Sequence, residues 1–354
     1  MSMKPRIAVL AGDPSGIGPE MTARLLARER NVEAAELLLI ADPLVLESGW
    51  RIAGGAVPDP LRLAGLDALR FEAGRPSLLV QDTMGGRAPV LGESNAHSGK
   101  ASFEAMELAT EAVRRGLVDG IVFAPLNKHS LRLGGLRHED ELRYMQERFE
   151  VPGFVCEFNI TGQLWTSRVT SHVPLKDVAA LITGDAVQDA VHIIHEALVR
   201  AGVGAPRIAV SGLNPHAGDG GSIGSEEIEV IAPAVRALQS QGIDARGPYS
   251  PDTVFIGARR GDFDAVVSMY HDQGQIAMKL MGFEQGVTLH GGLPVPVATS
   301  ASGSAFDIAG KGVAKIEGLQ HAFDLCVRMA RESVGTRTAR SGQFLTTTTR
   351  RGSW

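Results

Sequence analysis

Tyr270-His271-Asp272-Gln273-Gly274 places an imidazole, a carboxylate and an amide directly after residues 264–269, a short β-branched and apolar run that reads as a buried strand. In open α/β sheets ligands bind beyond the carboxyl ends of the strands, so this pentapeptide is a place to look for chemistry. Two further histidines occupy similar positions. His216 follows the apolar run 207–210 through Ser211-Gly212-Leu213-Asn214-Pro215, and His172 lies just past a second extended run, 164–170. Neutral imidazoles suit Zn²⁺, Mn²⁺, Co²⁺ or Fe²⁺, and three protein ligands leave room for substrate or water. Spacing alone leaves open whether the three converge; each taken singly also reads as a solvated histidine or one that supports a neighbour. His192 and His195 sit in a helix-like stretch and read as solvated or structural.

Glycine-rich segments are the other candidates. Residues 218–224 follow a strand and precede a helix, but Ile223 stands where a dinucleotide fingerprint needs glycine, so the loop reads as support for His216. Residues 12–19 lack the Gly-Lys-Ser/Thr of a P-loop and read as a tight turn placing Asp13 and Glu20. Residues 303–314 are rich in small side chains that let a backbone approach a ligand closely, and Asp307 is suited to accept hydrogen bonds from a ribose or an adenine amino group.

These segments need a scaffold that repeats strand, turn and helix. Residues 6–11, 120–123, 207–210 and 264–269 read as buried strands, each followed by polar turn residues and a helical pattern such as 19–30 or 225–239. Pro19 suits a first helical position, and Ser225 reads as an N-cap with Glu226 and Glu227 set against the helix dipole. Alternation of this kind implies parallel sheet with helices on its faces. Residues 154–158 and 164–170, separated by a Gly-containing loop, predict a hairpin. The length of 354 residues favours two domains. A net charge of −5 argues against nucleic acid or an anionic membrane as the main partner. Two cysteines, Cys156 and Cys326, are too few for a disulfide framework, and no apolar run nears the ~18 residues of a membrane helix. A cytoplasmic location is expected.

Five segments taken in order resemble the 4-hydroxythreonine-4-phosphate dehydrogenase family of pyridoxal phosphate biosynthesis. They are Gly-Asp-Pro-Ser-Gly-Ile-Gly-Pro-Glu (12–20), Ala-Pro-Leu-Asn-Lys (124–128), Ser-Gly-Leu-Asn-Pro-His-Ala-Gly (211–218), Gly-Pro-Tyr-Ser-Pro-Asp-Thr-Val-Phe (247–255) and Tyr-His-Asp-Gln-Gly (270–274). The resemblance implies an α/β fold of two α/β/α domains around a cleft, like isocitrate and isopropylmalate dehydrogenases. The domains are expected at 1–130 with 300–335 on the cofactor side and at 131–299 for metal, substrate and dimerisation, with 336–354 a disordered tail. It also implies a homodimer whose active site is completed by the second subunit. His172, His216 and His271 would hold a divalent metal (Zn, Mg, Mn or Co). NAD or NADP would lie along Gly303, Ser304, Ala305 and Asp307. Lys279, Asp252 and Asp272 match the polar residues serving catalysis. The reaction implied is oxidation of a hydroxyl β to a carboxylate, followed by loss of CO₂.

Departures from the family pattern fall where substrate and cofactor are expected. The family's Gly-His-Thr-Glu reads Arg137-His138-Glu139-Asp140, its asparagine falls at Thr288, its arginine before Thr-Ser falls at Val297, and its Asp-His-Gly-Thr-Ala reads Ala301-Ser302-Gly303-Ser304-Ala305. Loss of the arginine removes a bidentate phosphate clamp, and Glu139 adds a repelling charge. Lys279, Arg137 and His290 remain to compensate. Expected substrates are phosphorylated four-carbon hydroxy acids (4-hydroxythreonine 4-phosphate, 4-phosphothreonate or 4-phosphoerythronate). A non-phosphorylated cis-dihydrodiol carboxylate is the alternative, and a non-catalytic ligand-binding protein on the same scaffold is the alternative of another class.

Overall fold

The structure is a computed structural model that describes residues 3–55, 59–282 and 285–333; the tail expected at 336–354 lies outside them. The chain divides into two compact units, Met1–Val151 with the segment from Leu293 onward, and Pro152–Gly292.

The first unit is built on strands β1 (Arg6–Leu10), β2 (Glu36–Ala41), β3 (Leu61–Leu63), β4 (Ser77–Val80) and β5 (Gly120–Phe123), joined by the late strand β12 (Val297–Ser300). Their order is β3-β4-β2-β1-β5-β12, and all these pairings are parallel. Nearly every residue of β1, β2 and β5 is buried, as a parallel sheet covered on both faces requires. Helices start where short polar side chains bind free N–H groups. Asn95 accepts from Ser98 N, Asn127 from Ser130 N and Asp140 from Arg143 N, each at 2.9 Å. The asparagine of Ala-Pro-Leu-Asn-Lys is thus a helix cap, and it also accepts from the Ser94 hydroxyl at 3.2 Å.

The second unit carries β6 (Cys156–Thr161), β7 (Leu164–Arg168), β8 (Ile208–Ser211), β9 (Ala245–Tyr249), β10 (Ala265–Ser268) and β11 (Val287–Gly291). Their order is β11-β6-β7-β10-β8-β9. The predicted hairpin is present as the antiparallel pair β6–β7, while β7–β10–β8–β9 are parallel. Leu164, Ala209, Val266 and Met278 share one core cluster, so Met278 pins the helix His271–Leu280 against the sheet. The helix start expected at Ser225 differs in the structure. Ser225 does not cap the following helix with its side chain; its carbonyl accepts from Ile228 N and Glu229 N at 3.0 and 2.8 Å. The reason is a π-turn over Glu227–Ile231, closed by Ala232 N on Glu227 O, which widens the first turn before the regular helix Ala232–Ser240.

Candidate active site

Three adjacent parallel strands decide where the histidines stand. His172 follows β7, His271 follows β10 and His216 follows β8, in the sheet order β7-β10-β8. All three therefore lie beyond carboxyl ends of neighbouring strands, the ligand-binding edge of such a sheet. Val169 N and Thr170 N donate to Ser268 O and Met269 O at 2.9 and 3.1 Å, and the Thr170 hydroxyl donates to Met269 O at 2.9 Å. These bonds tie the approach to His172 to the approach to His271. The two imidazole centroids are 5.6 Å apart with planes tilted by 43°. An ion held about 2 Å from each imidazole nitrogen in tetrahedral geometry sets two ring centroids about 5 Å apart, so the pair fits a shared cation.

Gln273 ties the strand end before His271 to the loop that carries His216, although among the described residues the ligand atoms of His172, His216 and His271 do not all lie within 4.8 Å of one another. The Gln273 amide oxygen accepts from Met269 N at 2.7 Å, and its amide nitrogen donates to Gly212 O at 2.9 Å, at the root of the loop carrying His216. The glycine of Tyr-His-Asp-Gln-Gly is also explained by packing, since a Cβ on Gly274 would lie 2.6 Å from the Ser268 hydroxyl oxygen. Asp272 Oδ1 is 2.7 Å from His271 Nδ1. A proton held there leaves the Nε2 lone pair of His271 for a ligand.

His216 sits in unusual backbone. Residues His216, Ala217, Gly218, Asp219 and Gly220 all have positive φ, between 44° and 79°. L-residues in the left-handed region cost roughly 1–2 kcal/mol each, so this turn is held by its surroundings rather than by its own preference. Glu227 is the principal holder. Its carboxylate, 2% exposed, accepts from Leu213 N and Asn214 N at 2.7 Å and from the Asn214 side-chain amide at 3.0 Å. Asp252 is exposed and lies within electrostatic reach of His216. The Ser250 hydroxyl, donating at 2.6 Å, holds its carboxyl below the usual range, and His216 adds to that effect.

Lys279 stands on the last turn of the helix His271–Leu280, eight residues on from His271 and so about 12 Å along the axis. Thr288 and His290 lie on β11, opposite Asn159 and Glu157. His290 is buried. In the sequence Glu227 stands only as a partner of the helix dipole, whereas in the structure it binds the 211–218 loop. Arg168, which no motif marks, is buried at the end of β7, where it bonds Glu157 at 3.1 Å and the Ser171 hydroxyl at 3.0 Å beside His172.

In the first unit, the 303–314 segment docks on the Gly-Asp-Pro-Ser-Gly-Ile-Gly-Pro-Glu loop. Ile17 N donates to Ser304 O at 3.0 Å. Glu20 accepts from Ala314 N at 3.0 Å, and Arg24 donates to Gly312 O at 2.6 Å while pairing with Glu20. Gly303 and Asp307 are exposed, Ser304 is buried and Ala305 has φ 42°. Asp13, the other acid of the loop, is buried, and that burial pushes its carboxyl above the usual range against the Ser15 N–H and the Ser130 hydroxyl. His138 bonds Glu147 at 2.8 Å and sets its ring edge-on to Tyr144, with exposed Glu139 beside it. Val297 is wholly buried in β12, level with Ile121.

The sequence profile of the Pyridoxal phosphate biosynthetic protein PdxA family matches residues 33–326. The chain belongs to the PdxA family. Similar PdxA relatives include a Pseudomonas aeruginosa protein provisionally named 4-hydroxythreonine-4-phosphate dehydrogenase 2, 50% identical over 92% of this chain and 97% of its own. The D-threonate 4-phosphate dehydrogenase of Cupriavidus necator is 39% identical over 92% and 98%. Among solved structures, the 4-hydroxythreonine-4-phosphate dehydrogenase of Klebsiella pneumoniae is 32% identical, with TM-score 0.77 over 93% of this chain and 99% of that one. The fold extends to a β-decarboxylating dehydrogenase of Thermococcus kodakarensis, 13% identical with TM-score 0.50 over 99% of both chains. The chain is accordingly a dehydrogenase, an oxidoreductase acting on CH–OH, with the expected α/β fold class.

Proposed function

We propose that this PdxA-family enzyme oxidises the hydroxyl β to the carboxylate of a phosphorylated four-carbon hydroxy acid, with NAD⁺ or NADP⁺ as oxidant, and that the β-keto acid formed then loses CO₂. The observation that carries the reading is the placing of three imidazoles beyond β7, β10 and β8, with the His172 and His271 rings 5.6 Å apart. His172, His216 and His271 would hold a divalent cation, which supplies a Lewis acid for the developing oxyanion, as the nicotinamide supplies the hydride acceptor.

The chain's own residues do the rest. Asp272 fixes the tautomer of His271 through Nδ1, and Asp252 places a carboxylate beside His216. Lys279 contributes a cationic contact to the substrate's anionic end. Gly303, Ser304 and Ala305, fastened to the 12–20 loop through Ser304 O, offer the cofactor a backbone surface of small side chains. A homodimer is part of the proposal. Ile276 and Leu280, 61% and 84% exposed, flank Lys279 on one helix, and covering them with a second subunit brings that subunit's lysine to the site. The relative from Cupriavidus necator, named for D-threonate 4-phosphate, favours a phosphorylated acid.

The test is formation of reduced cofactor and release of CO₂ by Mn²⁺- or Zn²⁺-supplied protein. It is offered NAD⁺ or NADP⁺ with 4-phosphothreonate, 4-hydroxythreonine 4-phosphate or 4-phosphoerythronate, and in parallel a cis-dihydrodiol carboxylate. Turnover of a phosphorylated acid that falls at least about 100-fold in His271→Ala is expected. Turnover of the dihydrodiol alone would overturn the substrate class, and full activity in His271→Ala would overturn the metal reading.

A further inference from the structure

The backbone around His216 needs an external support, and the structure contains one that has no part in the chemistry described above. Glu227 reaches under the 211–218 loop from the π-turn that opens its own helix. It satisfies two consecutive backbone donors, Leu213 N and Asn214 N, with one oxygen and the Asn214 amide with the other. Asn214 donates in addition to Glu226 at 2.7 Å, so its single side chain bridges both acids. The carboxylate is also packed against the turn itself. A Cβ on Gly218 would lie 2.7 Å from Glu227 Oε2, and one on Gly212 3.0 Å from Oε1. A regular helical first turn would point this residue differently, and π-turns recur where a side chain must be re-aimed for function.

We propose that Glu227 is a positioning residue: it holds the left-handed turn 216–220 so that the His216 imidazole is presented to a cation, and thereby sets the cation affinity of the site. The proposal rests on the metal reading given under the proposed function. Glu227 touches neither substrate nor cation. A buried carboxylate suits the task because it accepts several N–H bonds at once in fixed directions, and each bond removes one way for the strained turn to relax. Glutamine keeps the shape, but places a donor against the Asn214 amide.

The test uses purified full-length protein titrated with Co²⁺, read by calorimetry and by the visible absorption of the bound ion. Amide hydrogen exchange at Leu213 and Asn214 is followed in parallel on metal-free protein. Glu227→Gln is expected to raise the Co²⁺ dissociation constant about 10- to 100-fold and to speed exchange at both amides. Glu229→Gln, an exposed change on the same turn, is expected to leave both unchanged. Wild-type affinity, spectrum and exchange in folded Glu227→Gln would overturn the positioning role while leaving the metal reading intact. If wild-type protein takes up Co²⁺ no better than His216→Ala, the metal reading falls and the positioning role falls with it. Should Glu227→Gln fail to fold, Glu227→Asp keeps the charge but withdraws the carboxylate by one methylene from Leu213 N and Asn214 N. Weakened Co²⁺ binding with faster exchange at both amides there supports the role, and wild-type values of both overturn it.

Discussion

At the scale of single residues, the two acids of the Gly-Asp-Pro-Ser-Gly-Ile-Gly-Pro-Glu loop bind backbone and side-chain donors of their own unit. Glu20 Oε1 meets Ala314 N and Arg24, and Asp13 Oδ1 meets Ser15 N, while Glu20 Oε2 and Asp13 Oδ2 are buried without a hydrogen-bond partner among the described residues. Asp13 carries a consequence for stability. Burial raises its folded pKa above the ordinary 3.8. Between the unfolded and folded values the folded chain binds the extra proton, so stability falls as pH rises through that window and stays lower above it. Asp13→Asn keeps an oxygen acceptor for Ser15 N and removes the titration. Its stability relative to wild type should therefore improve as pH is raised from about 4 to about 7, as read by urea unfolding at each pH. A constant difference across that range would show that Asp13 does not titrate in the folded protein with a raised pKa.

At the scale of elements, the turn 216–220 separates two kinds of glycine. Gly218 has φ 79° and lies against Glu227, whereas Gly220 has φ 66° with nothing within 4 Å of a built Cβ. Gly220→Ala should cost about 1 kcal/mol of strain alone, and Gly218→Ala roughly 2–3 kcal/mol because the Glu227 carboxylate must also shift. Equal losses in denaturant unfolding would mean that the contact with Glu227 contributes little. Much of each unit was legible beforehand. The strands before Ala124, Gly212 and Met269, the hairpin, and the three histidines beyond their strands are all signalled by apolar runs that stop on polar residues. What stayed hidden depends on long-range packing. Glu227 after Ser225 looks the same locally whether its side chain meets solvent or reaches under a neighbouring loop. The π-turn that decides between them leaves no periodicity over five residues. The joining of β12 to β5, and with it the burial of Val297, is likewise a pairing between distant segments that no local pattern encodes.

At the scale of the whole molecule, the helix His271–Leu280 poses a geometric problem for a one-chain active site. His271 opens it and Lys279 closes it, about 12 Å apart along the axis, yet both belong to the proposed chemistry. A two-fold dimer resolves this if His271 of one subunit works with Lys279 of the other, across a contact that covers Ile276 and Leu280. Complementation reads this out directly. His271→Ala and Lys279→Ala proteins, each inactive alone, are dissociated in mild denaturant, mixed in equal amounts and allowed to reassociate. Random pairing makes half of the dimers mixed, and each mixed dimer has one site with both groups intact, so about one quarter of wild-type activity should return. A site assembled within one chain gives no recovery, because every chain in the mixture then lacks one of its own two groups.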